Sequence, residues 1–248
     1  MSGHSAWKNI RDRKGAQDKK RNKIWTKVLR ELVVAVKTGG SGDPNFNARL
    51  RLAIQNCRAA NMPRDIIERA VKKAMGGDSE NYSEVNYECF GPDGIAIFIE
   101  CATNNVTRTV SNIRSYFSKY GGNLGKEGCL QFVFARKGVF TVNAEGIDID
   151  DFTMKMIDAS AEDVETDDGI ITVTCEVANF GDIQKALSDM NITPKEAGLN
   201  RIPLMFKKID PENFETFTKL VDVIEDDDDV QKVYHNLEFD ESLAAKWS

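Results

Sequence analysis

Apolar residues at Ile24, Trp25, Val28, Leu29, Leu32, Val33 and Val36 recur every three or four positions, and Gly39-Gly40 follow as a stop. That spacing is one face of a 3.6-residue period and predicts a helix over 24–37. After the turn residues Ser41-Gly42-Asp43-Pro44, Leu50, Ala53, Ile54 and Cys57 mark a second helix over about 47–60, with Arg49, Arg51 and Arg58 off its apolar side. Asn61-Met62-Pro63 opens a third, carried by Ile66, Ile67, Ala70, Val71 and Ala74 to Gly76-Gly77. Proline is tolerated in a first helical turn, and Asp65 suits its positive end. Three short helices with basic outer faces make a small bundle.

Near residue 80 the period turns alternating or continuously apolar, which predicts a domain boundary. Strands are expected over 85–90 and 95–101, joined across Gly91-Pro92-Asp93-Gly94, where Pro and Gly supply turn geometry. A helix over 106–120 and a strand over 129–134 follow. The next stretch reads as strand 139–142, helix 149–159, strand 163–165, a hairpin turn at Asp167-Asp168-Gly169, strand 170–177, helix 183–190 and strand 202–206. That order, βαββαβ, is the split βαβ or ferredoxin-like plan. A helix over 212–224 and a strand over 230–237 remain, and they are expected to return and complete the earlier lobe. The predicted fold class is α+β multidomain. It comprises a basic arm and helical bundle over 1–80, a discontinuous α+β lobe over 81–135 plus 205–240, and an inserted ferredoxin-like lobe over 136–204.

Charge adds a second division at the same place. The 248 residues carry a net −6, but residues 1–80 hold +10 and residues 81–248 hold −16. A basic end points to a polyanionic partner, most often nucleic acid, and the acidic remainder suits a scaffold or protein-docking surface. Residues 1–23 have Trp7 and Ile10 as their only large apolar side chains and read as an extended or partly helical basic arm. A transit peptide is the rival reading, disfavoured by sparse Ser and the lack of a clear amphipathic helix. The longest aliphatic run, Leu32 to Val36, is far too short for a membrane span or a secretory signal.

Catalytic and metal motifs do not emerge. Cys57, Cys89, Cys101, Cys129 and Cys175 never form C-x-x-C, and with only His4 and His235 beside them no zinc site or disulfide framework follows. Small buried thiols in a reducing cytosol are the expectation. Gly121-Gly122-Asn123-Leu124-Gly125-Lys126-Glu127 has the wrong glycine-to-lysine spacing for a phosphate loop, and Glu127 replaces the metal-binding hydroxyl, so it reads as a glycine-rich turn. The run Glu225-Asp226-Asp227-Asp228-Asp229 lacks the glycine and distal glutamate of a calcium loop and is expected to be a solvated, self-repelling turn. No enzyme and no cofactor are predicted.

Gly3-His4-Ser5-Ala6-Trp7-Lys8-Asn9-Ile10, Lys14 to Lys23, Asn47 to Ile54, Ala60-Asn61-Met62-Pro63, Tyr87 to Gly94, Phe117 to Gly125 and Asp229 to Asn236 form a specific set of segments along nearly the whole chain. Together they resemble the YebC/PmpR family, which includes mitochondrial translational activators. The resemblance implies a helical N-terminal domain followed by two α+β domains. It also implies a regulator that binds DNA, with a link to translation at the ribosome, and a bacterial cytoplasmic member without a transit peptide. Ala6, Trp25 and Thr103-Asn104-Asn105-Val106-Thr107-Arg108-Thr109 depart from the family's usual residues. The candidate nucleic-acid contacts are His4, Lys8, Arg11, Arg13, Lys14, Lys19, Lys20, Arg21, Lys23, Lys27, Arg30, Arg49 and Arg51. The expected function is a DNA-binding transcriptional regulator. The alternative is a ribosome-associated translation factor contacting ribosomal RNA, since Lys and Arg meet either phosphate.

Overall fold

The computed structural model describes residues 21–77 and 80–238, the side chains of residues 21 and 22 excepted. The architecture is multidomain α+β, with N-terminal helices and two sheet-bearing lobes. The chain forms two compact units, Met1–Phe134 with Pro203–Ser248, and Ala135–Ile202.

In the first unit, helices α1 (Arg21–Gly39), α2 (Ala48–Ala59) and α3 (Arg64–Met75) bury Leu32, Ala35, Val36, Leu50, Ala53, Cys57, Met62, Ile67 and Ala74 against one another. Asn47 fastens the first junction. Its Oδ1 accepts from Leu50 N at 3.0 Å as the α2 N-cap, while Nδ2 donates to Ala35 O at 2.8 Å and Ser41 O at 3.0 Å. A buried amide satisfied at both ends makes the turn rigid. A Cβ on Gly39 would lie 2.2 Å from that amide, so this position needs glycine.

The same unit carries a sheet ordered β3-β1-β2-β8, from β1 (Ser83–Phe90), β2 (Ala96–Thr103), β3 (Asn123–Leu124) and β8 (Val230–His235). Its pairings are antiparallel. Helices α4 (Val106–Lys119) and α7 (Pro211–Asp226) cover it, burying Ile97, Ile99, Ile113, Phe117, Phe217 and Leu220. Phe98, Leu130, Phe134 and Tyr234 form a second cluster, so the central strand β2 is buried on both sides and is apolar from Ala96 to Ile99, with the half-buried Glu100 following. In the β1–β2 turn Asp93 adopts φ 56°, and its carboxylate accepts from Asp210 N at 2.9 Å and Asn213 Nδ2 at 2.7 Å, tying the turn to the start of α7.

The second unit runs β4 (Phe134–Asn143), α5 (Ile149–Asp158), β5 (Ala161–Asp167), β6 (Ile170–Glu176), α6 (Phe180–Asp189) and β7 (Glu196–Pro203), with strand order β5-β6-β4-β7. Asp168 and Gly169 both have positive φ, 49° and 72°, the geometry of a two-residue type I′ hairpin turn. Phe140, Phe152, Met156, Ile171, Val173 and Ile183 are buried.

Two strand expectations are corrected. Residues 129–134 make successive turns, with Val133 N donating to Leu130 O at 2.9 Å and Phe134 N to the same oxygen at 3.3 Å. Leu130 and Phe134 are buried whereas Phe132 is 76% exposed, a four-residue spacing in place of alternation. The Glu88 carboxylate accepts from Gly128 N and Leu130 N, holding the turn, and β3 takes the edge beside β1. The strand expected over 202–206 lies earlier, at Glu196–Pro203. Leu204, Met205 and Phe206 beyond it are exposed.

Candidate nucleic-acid interface

Lys23, Lys27 and Arg30 recur at i, i+4 and i+7 and therefore share one face of α1. That face meets the acidic run at the end of α7. Lys23 Nζ pairs with Asp226 Oδ1 at 2.8 Å, and Lys27 Nζ donates to Glu225 O at 3.0 Å. Arg30 Nη1 donates to Ala102 O at 2.9 Å and to Asp228 O, and reaches Asp229 Oδ1 at 3.2 Å. The Arg30 guanidinium also sits 4.7 Å from the Tyr82 ring centre, a cation–π contact.

Asp229 is the centre of this contact. Arg108 Nη2 donates to Oδ2 at 2.7 Å and to Oδ1 at 2.9 Å, and Thr109 Oγ1 to Oδ2 at 2.8 Å. Burial pushes the carboxyl pKa up, but the hydrogen bonds from Arg108, Thr109 and Thr103 outweigh it and hold the group below the ordinary aspartate value. Asp227 accepts from Tyr116 Oη at 2.9 Å and Asn112 Nδ2 at 3.1 Å. The expectation of a solvated, self-repelling run is thus corrected for Asp227 and Asp229, because cations and hydroxyls from three elements compensate them. The departing segment Thr103–Thr109 has a visible role as well. Asn105 Oδ1 caps α4 through Arg108 N at 3.0 Å, and Arg108 and Thr109 then face Asp229.

Arg49 forms a two-pronged pair with the Glu84 carboxylate, 2.9 Å at Nη1 and 2.5 Å at Nη2. That hydrogen bond, against the opposing effect of burial, raises its pKa above the usual arginine value. Arg51 is exposed and makes no ion pair among the described residues, and the same holds for Arg58 on α2 and for Lys72 and Lys73 on α3. Arg51 and Arg58, seven positions apart, lie on one stripe. From the sequence Arg58 reads only as lying off the apolar side of α2, and Lys72 and Lys73 are not singled out; Glu68, one turn before Lys72, is taken by Arg64, which leaves both lysines without a carboxylate. His4, Lys8, Arg11, Arg13, Lys14, Lys19 and Lys20 lie outside the described residues, as does the Arg21 side chain.

Among the described residues no group of three or more His, Cys, Asp or Glu could hold a metal ion, and no helix is long and apolar enough to cross a membrane. The glycine-rich turn owes its composition to packing. A Cβ on Gly122 would lie 2.5 Å from Phe90 O, one on Gly125 2.9 Å from Glu88 O, and Gly121 has φ +74°.

Family models for the TACO1/YebC N-terminal domain and for the TACO1/YebC second and third domain match residues 5–77 and 82–237. The chain belongs to the TACO1/YebC family. Similar relatives named "Probable transcriptional regulatory protein" occur in Fusobacterium nucleatum, 47% identical over 98% of this chain and 98% of the relative, and in Geobacillus sp. strain WCH70, 46% identical over 98% and 99%. A crystal structure of a conserved hypothetical protein from Aquifex aeolicus superposes with a TM-score of 0.81 at 35% identity, covering 90% of this chain and 93% of the other. The TACO1/YebC family is one of non-enzymatic regulatory proteins associated with transcription and translation. Its N-terminal model spans α1–α3, and its second model spans both sheets.

Proposed function

We propose that the protein is a nucleic-acid-binding regulator of gene expression that acts on DNA as a transcriptional regulator, through a basic arm and a three-helix bundle. The observation that carries this reading is the placement of charge. The +10 of residues 1–80 includes Arg51, Arg58, Lys72 and Lys73, which remain exposed and uncompensated on α2 and α3. Exposed cations without carboxylate partners are those able to release counterions from a phosphate backbone. The names of the relatives support a role in transcription. The contacts proposed are His4, Lys8, Arg11, Arg13, Lys14, Lys19, Lys20 and Arg21 of the arm with Arg51 of α2. Lys23, Lys27, Arg30 and Arg49 join them only by leaving their intramolecular partners.

In this reading the arm and bundle occupy 1–80, and 81–135 with 205–240 form one α+β lobe. Residues 136–204 form an inserted ferredoxin-like lobe, a plan supported by the βαββαβ order and the strand sequence β5-β6-β4-β7. The acidic lobes offer a docking surface for a protein partner, and the setting is the cytoplasm. The second reading, a ribosome-associated translation factor contacting ribosomal RNA, is favoured by the family's association with translation.

Binding to a labelled DNA duplex, followed by anisotropy, tests the electrostatic basis. With about six phosphate contacts, affinity should fall on the order of a thousandfold between roughly 50 and 200 mM salt. A constant that stays flat over that range overturns the proposal. Chromatin crosslinking and ribosome profiling of one tagged strain then decide between the two polymers.

A further inference from the structure

The end of the helical region where α1 stops, α2 starts and α3 stops presents one aromatic ring to solvent among cations. Phe46 is 83% exposed, the most exposed large apolar side chain among the described residues. It precedes the N-cap Asn47, a position whose apolar side chain ordinarily packs on the fourth residue of the helix. That residue here is Arg51, so the ring has no apolar partner. The loop beneath it is fixed. Phe46 N donates to Asp43 O at 3.1 Å, Asn45 N to Asp43 Oδ1 at 2.8 Å and Asp43 N to Ser41 Oγ at 3.1 Å. A Cβ on Gly42 would lie 2.8 Å from Met75 Cγ and 3.3 Å from Val71 Cγ1, so the loop backbone rests on the last turn of α3, which carries Lys72 and Lys73.

Charge separates this ring from the exposed apolar residues of α5. Met154 and Ile157 on α5 share their helix with Asp150, Asp151 and Asp158, which repel a polyanion. Asp43 in the same loop accepts from Asn45 N, and Glu84 is paired with Arg49 of α2. An exposed ring held by rigid backbone and flanked by free cations is the arrangement on which an unpaired base stacks while its phosphates are neutralised. A duplex offers such a ring no open base face.

We propose that this end of the helices binds an unpaired nucleobase, stacked on Phe46, with the flanking phosphates on Arg51, Lys72 and Lys73. The inference rests on the nucleic-acid reading above and adds single-stranded segments to its ligands.

The test uses the full chain and three labelled probes of one sequence: single-stranded RNA, single-stranded DNA and duplex DNA. Phe46→Ala should weaken single-strand binding roughly 5- to 150-fold, the range for loss of one base–aromatic stack. Duplex binding and the salt slope should stay unchanged, and Phe46→Trp should restore single-strand affinity. Equal loss on both single strands, or loss on one of them, supports the site, and the second outcome names the polymer. Unchanged single-strand binding by Phe46→Ala, or equal loss on single strand and duplex, overturns the inference while leaving nucleic-acid binding intact. A wild-type chain that binds none of the three probes overturns both.

Discussion

Arg30 Nη1 of α1 lies 3.2 Å from Asp229 Oδ1 before β8, with the two side chains only 11% and 4% exposed. Residues almost two hundred positions apart therefore share a nearly dry ion pair, and the pair joins the N-terminal helices to the sheet of the first unit. Arg108 holds the same carboxylate from a third element. Removing one partner of a buried pair strands the other charge, at a cost of about 3 to 5 kcal/mol. Asp229→Asn should therefore destabilise the first unit by about 3 kcal/mol in urea unfolding, the lower end because Arg108 is half-exposed and can turn to water. A change below about 1 kcal/mol would mean that the pair contributes no more than a surface bridge.

The same carboxylate sets a pH dependence. Its folded pKa lies below the ordinary aspartate value of about 3.9 that it regains on unfolding. The unfolded chain then binds the proton more readily, so the contribution is complete above the unfolded pKa and is lost as pH falls through the folded one. The stability gap between wild type and Asp229→Asn should be constant above about pH 5 and should narrow below about pH 4. Denaturant titrations at five or six pH values measure it, and a gap that widens on acidification contradicts the assignment.

Local periodicity made α1, α2 and α3 legible, and the Gly91–Gly94 and Asp168-Gly169 turns were legible from composition. The two sheet-bearing lobes follow from the change of period near residue 80. What escaped the pattern has two physical sources. Over 129–134 five apolar residues around Gln131 fit a strand and a helical turn alike, and the Glu88 carboxylate, about forty residues away, holds the turn. At the candidate site, Lys23, Lys27 and Arg30 have the spacing of a phosphate-binding stripe, but their partners Glu225 to Asp229 are distant in the chain. Charge patterning tells which residues share a face, not what that face meets.

Gly122 tests the packing account of the glycine-rich turn. A methyl there would meet Phe90 O at 2.5 Å and Phe117 Cδ1 at 2.7 Å, and the backbone oxygen cannot move without disturbing β1. Gly122→Ala should cost about 1 to 3 kcal/mol, the range for an overpacked site. Thermal unfolding reads it, and an unchanged midpoint would show that the β1 end yields freely.

The thiols should divide sharply in reactivity. Burial pushes Cys57 and Cys101 up to about 12 and Cys175 up to about 11, and raises Cys89 as well, so these four carry almost no thiolate at pH 8. Cys129 is the exposed cysteine, and it too is raised, by partial burial and by the Glu88 carboxylate. A disulfide reagent should modify one equivalent in the native protein, more slowly than a free thiol, and Cys129→Ser should abolish that phase. Rapid modification of two or more equivalents would mean that the cores open easily.

The last expectation separates cations by what they already hold. Lys72 and Lys73 make no ion pair among the described residues, whereas Lys23 and Lys27 are bonded to Asp226 and Glu225. Phosphate binding gains most from a cation that has no carboxylate or carbonyl to abandon, so the two pairs should differ although each carries the same charge. Lys72→Gln with Lys73→Gln should lower the magnitude of the salt slope for duplex DNA by about 1.8, from a loss of about 0.9 per phosphate contact. Unfolding should shift by less than about 0.5 kcal/mol, as for surface changes generally. Lys23→Gln with Lys27→Gln should leave the slope unaltered within error, because those ammonium groups serve the acidic run. Equal losses from the two double variants would show that α1 leaves the acidic run when the polymer binds and that its face is part of the interface.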